Sequence, residues 1–508
     1  VEPETITAEL TRFAPEAPNK IMRWNELIQN LPVLARGGDA DPQISDVVYD
    51  SRRAAPGSVY VAIPGFKTHG DSFIADAAGR GAAAIVSGNP QPGCGVPWAQ
   101  VKDPRSAVGL LSKALWGGRF DRISCIGITG TNGKTTTAYL FRQLLEESMG
   151  PDAVWMFSTV VCRLGKQTNG AIRTTPESTD IFRLLGTEPV PPQAIVMEVS
   201  SHSLELNRVA GLLYTVAVFT NLTQDHLDFH NTMEAYYRAK KKLFTDYLKP
   251  GGKAIINIDD QWGKRLASEL KPAELITYGS SPEAMVRIAD WKSDWSGSEI
   301  VLDIGGKTHA AKSKLVGAFN VQNMTALCAG AVALGIDFEK VQRMLAGFSP
   351  APGRMEVVSL PAPFSVVVDY AHTPDALENV LSTARKLTKG RLICVFGCGG
   401  DRDRTKRPRM AEAVVRHCDE AVITSDNPRT EKPETIIEEI MAGVPLDFPH
   451  WVIADRRAAI AKALRIARAG DCVVIAGKGH EDYQEINGVK HHFSDREVVQ
   501  EVYGTRDR

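Results

Sequence analysis

The run GITGTNGKTTTAYL, Gly127 to Leu140, constrains the fold of this 508-residue chain more than any other feature. Ahead of it, RISCIGITG reads as a buried strand; behind it, TTTAYLFRQLLEESM has the apolar spacing of a helix. A strand that enters a glycine-rich turn and leaves as a helix points backbone N–H groups inward and sets a helix N-terminus against the contents of the turn. Such a turn suits a polyphosphate. Gly130, Thr131, Asn132 and Gly133 form the turn, Lys134 can reach outer phosphates, Thr135 offers a hydroxyl to Mg²⁺, and Thr136 follows. The strict spacing asks for glycine at 128, where Ile128 stands between Gly127 and Gly130. A tight turn without ligand is the bland alternative, and the strand–loop–helix setting argues against it.

The chain is too long for one hydrophobic core. Buried-strand candidates AIVMEVS (194–200), YTVAVFT (214–220) and KAIINID (253–259) alternate with helix-length segments, as a mostly parallel sheet covered on both faces requires. A smaller α/β unit precedes them, with DVVYDSR and GSVYVAI as strands and FIADAAGRGAAAIVSG as a helix then a strand. Residues 291–314 read as antiparallel strands, and Pro350, Pro352 and Gly353 punctuate a linker. A third α/β rhythm follows in FSVVVDY, RLICVFG, EAVITSD and DCVVIAG. The expected fold is α/β in three domains: 1–115 with a loose arm at 1–20, a central phosphate-loop domain at 116–350, and a Rossmann-like domain at 351–508.

Lys+Arg 59 against Asp+Glu 60 argues against a dedicated nucleic-acid binder. The 8 cysteines lack metal-ligand spacing and read as buried thiols in a reducing compartment. No apolar run approaches the roughly 20 residues of a membrane helix, and the start lacks a signal-peptide core, so the cytoplasm is the expected location.

A bound triphosphate needs a cation, and open α/β sheets place their ligands at strand ends. Glu198 closes one strand and is followed by Ser200, Ser201 and His202; Asp225 and His226 stand beyond the next, in NLTQDHLDFH. Glu198 and His226 are therefore candidate ligands of Mg²⁺ or Mn²⁺, against the reading of each as a helix cap or hydrogen-bonded strand end. Lys240, Lys241 and Lys242 follow on a helix, whose spacing lets only one or two of them face a site; the pattern does not choose among them.

In type and order, GTNGKTT, MEVSSH, DHLDFH and the lysine helix resemble the Mur ligase family, ATP-dependent amide-forming enzymes of bacterial cell-wall synthesis, along nearly the whole chain. The resemblance makes Lys134 a phosphate-binding lysine and Thr135 and Glu198 contacts of one Mg²⁺. Glu198, His226 and Lys240 would hold a second ion, with Lys240 carrying a CO₂-derived carbamate; carbamylation needs the neutral amine, so the site must depress that pKa. It places Asn320 near adenine, Arg354 at the phosphates, Asp369 near ribose and His372 on the ATP side. Ser51 and the loop with Phe66, Lys67 and Thr68 would meet the uridine moiety of a UDP-N-acetylmuramoyl dipeptide. Thr174, Thr175, Ser200 and Arg208 would meet its peptide, and Leu206 stands where some relatives carry Gln.

SDNPRTE follows a predicted strand and precedes a helix near Pro433, an ordinary place for a binding loop and equally for a bland capped turn. Within the family, Asp426, Asn427, Pro428 and Arg429 resemble the diaminopimelate-type signature. Arg429 can grip a distal carboxylate with its fork, and lysine would leave that fork unpaired. Arg402, Gly477 and Glu481 match other contacts to the amino acid, Glu481 facing the distal ammonium. The rest of the basic run 402–409 reads as a solvated loop. The implied reaction adds meso-diaminopimelate to the D-Glu γ-carboxylate through an acyl phosphate, by a monomer with no nucleic-acid or membrane partner. A lysine-adding relative, a folylpolyglutamate synthase-like ligase and an ATP-driven switch are the alternatives.

Overall fold

The computed structural model describes residues 20–65, 68–170 and 173–504. Of the expected arm at 1–20 only Lys20 falls among them, and Phe66 and Lys67 lie outside them. Two compact units form, one from the chain up to Arg287 with Thr325–Lys340, the other from Ile288–Met324 with Val341 onward.

Besides the two-stranded pair Met22–Arg23 with Gln43–Ile44, the first unit holds two main sheets. The smaller runs in the order Val33–Gly37, Trp98–Val101, Ala84–Ser87, Ser58–Ala62, Asp46–Val48; only its first pair is antiparallel. The DSR run expected in a strand is instead a 3₁₀ turn, Ser51–Arg53, because the Asp50 carboxylate accepts from the Arg52 N–H at 3.0 Å and turns the chain. In the larger sheet, Ser124–Thr129 lies between Ala194–Glu198 and Tyr214–Phe219, parallel to both. Val154–Phe157 and Leu248–Asn257 extend the parallel run on the two sides. Strands Ala194–Glu198 and Val154–Phe157 are buried at every residue, the signature of a sheet covered on both faces.

Registry decides where the site forms. Glu198 stands opposite Ile128, and Phe219 opposite Thr129. The carboxyl ends of three adjacent strands are therefore level, and the loops that leave them meet above the phosphate-type turn.

One apolar core joins the two sheets of this unit, from Trp24 and Leu111 through Phe120 and Phe182 to Tyr214. Helix Pro104–Trp116 is capped by Asp103 and packs on Ser178–Thr187, where Ser112 Oγ donates to Thr179 Oγ1 at 2.7 Å. Each large apolar side chain buried there contributes about 1.5–3 kcal/mol.

In the second unit, Gly297–Ile304 and Lys307–Ser313 pair antiparallel, as expected for 291–314. Its main sheet runs Glu356–Val357, Ser365–Asp369, Cys472–Ala476, Leu392–Phe396, Glu420–Ile423, His450–Val452, parallel except at its first pair. Helices Pro374–Leu387, Lys406–His417 and Pro433–Met441 bury residues against one face, Arg456–Ile466 and Asp495–Gly504 against the other. The α/β class is as expected. All eight cysteines are free thiols, six of them buried. Among the described residues no helix is long and apolar enough to cross a membrane.

Candidate active site

The phosphate-type turn is shaped by two glycines with positive φ, Gly130 at 151° and Gly133 at 85°. A Cβ on Gly130 would stand 1.9 Å from Thr220 Oγ1, so no other residue fits. Gly133 caps helix Lys134–Met149 without any side-chain cap, leaving the helix start to an anion. The next strand's loop braces the turn: Thr220 Oγ1 donates to Asn132 O at 2.6 Å and Asn221 Oδ1 accepts from Asn132 N at 2.9 Å. Sequence reasoning missed Thr220 and Asn221, although their place just past a neighbouring strand is the signal that found Glu198. Thr135 and Thr136 are buried at the helix start.

The lysine helix, Met233–Thr245, resolves its own ambiguity. Lys241 and Lys242 pair with Glu269 and Glu205 near the surface, whereas Lys240 is 1% exposed and donates to Gly130 O at 2.7 Å. Lys134 donates to the same carbonyl at 2.9 Å. Burial, then the charge of Lys134, pushes the Lys240 ammonium well below the usual lysine range. Tyr236, one turn earlier, lies under the Lys240 ammonium at 4.5 Å, stacks on His230, meets His226 edge-on and approaches Thr131 through its hydroxyl. His226 has a left-handed backbone, φ 52°, and burial lowers its pKa despite Asp225, which favours the neutral imidazole that a metal needs.

Glu198 is 1% exposed, and its carboxylate accepts from the N–H and hydroxyl of Thr159 at 2.9 and 3.1 Å. With its proton on Glu198, the Thr159 hydroxyl accepts from Thr174 Oγ1 at 3.1 Å; Thr175 Oγ1 donates to Glu198 O and accepts from Ser200 N. One chain of hydrogen bonds thus links Thr174, Thr159, Glu198, Thr175 and Ser200, and no motif marked Thr159. Among the described residues no group of three or more His, Cys, Asp or Glu side chains is placed to hold a metal. The oxygen and imidazole donors present fit Mg²⁺ nonetheless, because that ion is commonly held by one or two carboxylates together with phosphate oxygens. Lys240 joins such a set only as an anion, since an ammonium repels the ion.

Arg208 lies 3.4 Å from the buried Glu177 carboxylate, which also faces Arg173 at 3.3 Å and Arg105 at 3.8 Å. Three guanidiniums around one carboxylate leave net positive charge, suited to an acidic ligand. Burial raises the Glu177 pKa, and Arg208 and Arg105 oppose it. Leu206 stands just past helix Ser201–Glu205, as its C-cap. Ser51 is buried and bonded to Asp76, and Thr68 lies exposed next to His69, which bridges to Pro64.

In the second unit Asp369 closes a strand with His372 just beyond it, whereas Asn320 lies in helix Ala318–Leu334 and Arg354 just before strand Glu356–Val357. Asp369 is buried and accepts from the N–H groups of Met355 and Ala371 at 2.6 and 2.7 Å; burial raises its pKa against the pull of Arg354. Arg354 lies over the Tyr370 ring at 4.9 Å, and His372 bonds Tyr370 O at 2.8 Å. Asn320 is buried, its amide donating to Val316 O and accepting from Asn323.

The DNPR turn and the 477–481 loop interlock. Asn427 Nδ2 donates to Glu481 Oε2 at 2.8 Å, and a Cβ on Gly477 would stand 2.4 Å from Asp426 Oδ2. Arg429 has a left-handed backbone, φ 52°, donates to Gly400 O and faces Glu485 at 3.4 Å. Gly399 lies between Arg429 and Arg402, where a Cβ would stand 2.9 Å from a terminal guanidinium nitrogen of Arg429 and 3.9 Å from Arg402 Cγ. Pro428 O accepts from Glu431 N and closes the turn. A hairpin, Tyr483–Ile486 with Val489–His492, clasps it through Arg429 N to Glu485 O and Asn487 N to Arg429 O. Its Asn487-Gly488 turn was a legible hairpin signal that the sequence reading did not use.

The solvated reading of 402–409 does not hold throughout. Arg407 is fully buried and bonded to Glu431 and Glu439, and Lys406 donates to His372 O at 3.0 Å. Carboxylates supplied from 24 and 32 residues away take these charges inside, which local composition does not reveal.

Family models described as the Mur ligase family catalytic domain, the Mur ligase middle domain and the Mur ligase glutamate ligase domain match residues 43–115, 128–332 and 353–479. The UDP-N-acetylmuramoyl-L-alanyl-D-glutamate–2,6-diaminopimelate ligase of Aquifex aeolicus is 43% identical over 91% of this chain and 94% of its own. The enzyme of that name from Gloeobacter violaceus is 43% identical over 96% and 99%. A solved structure of a ligase of that name superposes with TM-score 0.70 at 34% identity, covering 95% of this chain and 99% of that one.

Proposed function

The chain belongs to the Mur ligase family, and from that premise we propose that it joins 2,6-diaminopimelate to UDP-N-acetylmuramoyl-L-alanyl-D-glutamate at the expense of ATP. It is a ligase of peptidoglycan synthesis. What supports this reading most is identity along nine-tenths of the chain with enzymes of that name. The Asn427–Glu481 and Arg429 cluster supplies chemistry that fits a zwitterionic distal group: a carboxylate for its ammonium and a guanidinium for its carboxylate.

A carboxylate resists attack by an amine because oxide is a poor leaving group. In the proposed route a γ-carboxylate oxygen of D-Glu attacks the γ-phosphorus of ATP, the bond to the bridging oxygen breaks, and ADP departs. The amine then attacks the acyl carbon, loses a proton, and phosphate leaves as the amide forms. Lys134 and the N–H groups at the start of Lys134–Met149 stabilise charge on the moving phosphoryl group. Thr135, Glu198, His226 and a carbamylated Lys240 would hold two Mg²⁺ ions, which supply charge neutralisation to the triphosphate. Asn320, Arg354, Asp369 and His372 are assigned to the nucleotide; Ser51 and Thr68 to the uridine; Thr174, Thr175, Ser200 and Arg208 to the peptide. The domain borders, 1–115, 116–350 and 351–508, the meso isomer, a monomeric state and a cytoplasmic location belong to the same proposal.

The test is phosphate release from ATP with the sugar dipeptide and either diaminopimelate or lysine, with the product weighed by mass spectrometry. Diaminopimelate should support release and add its mass less water, and lysine at equal concentration should not. ADP formed without an acceptor-dependent product rejects the ligase reading, and equal use of lysine rejects the amine assignment.

A further inference from the structure

Lys478, in the 477–481 loop, is given no role by the site assignments, and its side chain is 0% exposed. A lysine that deeply buried needs partners for its charge. Its ammonium donates to Asn427 Oδ1 at 3.0 Å and to Glu481 Oε2 at 3.2 Å, and stands 5.4 Å from the Tyr483 ring centroid. Both oxygens belong to side chains assigned to the incoming amino acid.

The bonding pattern is directional. Asn427 Oδ1 receives two donors, Lys478 Nζ and the Glu485 N–H at 2.9 Å, so the amide must present its Nδ2 to Glu481. Glu481 Oε2 receives two donors in turn, from Asn427 and Lys478. Among the described residues no donor reaches Oε1, which remains to accept from a ligand. Burial raises the Glu481 pKa, and the charge of Lys478 is the main influence opposing that rise.

We infer that Lys478 is a positioning residue for the amine subsite: it orients the Asn427 amide and fixes the Glu481 carboxylate that receives the distal ammonium of the diamino acid. The inference rests on the proposed function, and it makes a claim of its own: recognition of the distal ammonium depends on a lysine that never touches the substrate.

The experiment compares wild type, Lys478→Met and Lys478→Arg with diaminopimelate and with 2-aminopimelate, which lacks only the distal amine. In Lys478→Met the KM for diaminopimelate should rise about tenfold or more, by loss of a hydrogen bond between charged groups. Its kcat and its KM values for ATP and the sugar dipeptide should stay within about twofold of wild type, and its preference for diaminopimelate over 2-aminopimelate should collapse. Lys478→Arg, which keeps a cation, should recover part of that preference. An unchanged preference in Lys478→Met overturns the inference, as does a parallel rise in all three KM values. If Lys478→Met fails to fold, the neutral Lys478→Gln is read in its place, and an unchanged preference with unaltered diaminopimelate KM there overturns the inference. Wild-type protein that uses neither amine sinks the proposed function instead.

Discussion

Lys134 and Lys240 donate to one carbonyl oxygen, that of Gly130, at 2.9 and 2.7 Å. Two ammonium groups drawn to one neutral acceptor repel each other, and one of them is buried. The relief available to Lys240 is to lose its proton, and burial with the neighbouring charge drives it that way. A neutral amine can take up CO₂, releasing a proton and becoming a carbamate anion beside Lys134.

Protein equilibrated with isotope-labelled bicarbonate should accordingly show a carbamate carbon resonance in NMR spectra, lost in Lys240→Ala. That variant should lose activity by about 100-fold or more, the scale on which removing a charge that organises phosphoryl transfer acts. A wild-type spectrum without the resonance at mildly alkaline pH rejects the carbamate.

Gly130→Ala tests the turn itself. With φ at 151° and Thr220 Oγ1 at 1.9 Å from the added carbon, the backbone must shift. Strain of this kind costs about 1–3 kcal/mol, and the shift carries away the carbonyl shared by both lysines. Urea denaturation should show the loss, and nucleotide-dependent thermal stabilisation should vanish. A variant that still binds nucleotide as tightly as wild type would place the phosphate elsewhere.

Local spacing carried the turn, the Glu198 strand end and the DNPR loop, because each is fixed by residues adjacent in sequence. The lysine helix was only half legible: Met233–Thr245 was readable as a helix, but which lysine faces inward depends on how it packs. Thr159 and Lys478 escaped notice because the partners that give them meaning, Glu198 and Asn427, lie 39 and 51 residues away. The misreading of Lys406 and Arg407 has the same origin. Charged runs look solvated until the fold brings carboxylates to them.

Arg429→Ala should raise the KM for diaminopimelate by about 10- to 100-fold while leaving the KM for ATP near wild type, as expected for a lost charged fork on a carboxylate. Arg429 is held by Gly400 O and Glu485, so Arg429→Lys, with a point charge and no fork, should recover little. An amine KM unchanged at saturating ATP and sugar dipeptide would remove Arg429 from the subsite.

His480 offers a pH test in the second unit. Burial, then the charge of Arg354, lowers its pKa from 6.5 to about 4, and its Nδ1 is buried without a hydrogen bond. The neutral ring is therefore the folded form. Above about pH 6.5 the folded and unfolded states both carry it neutral, and its contribution to stability is complete. As pH falls from 6.5 toward 4 the unfolded chain takes up a proton that the folded one refuses, and that contribution is lost. The urea midpoint of wild type should fall between pH 7 and pH 5, and His480→Gln should fall less. Equal falls in the two proteins would mean that His480 titrates alike in both states.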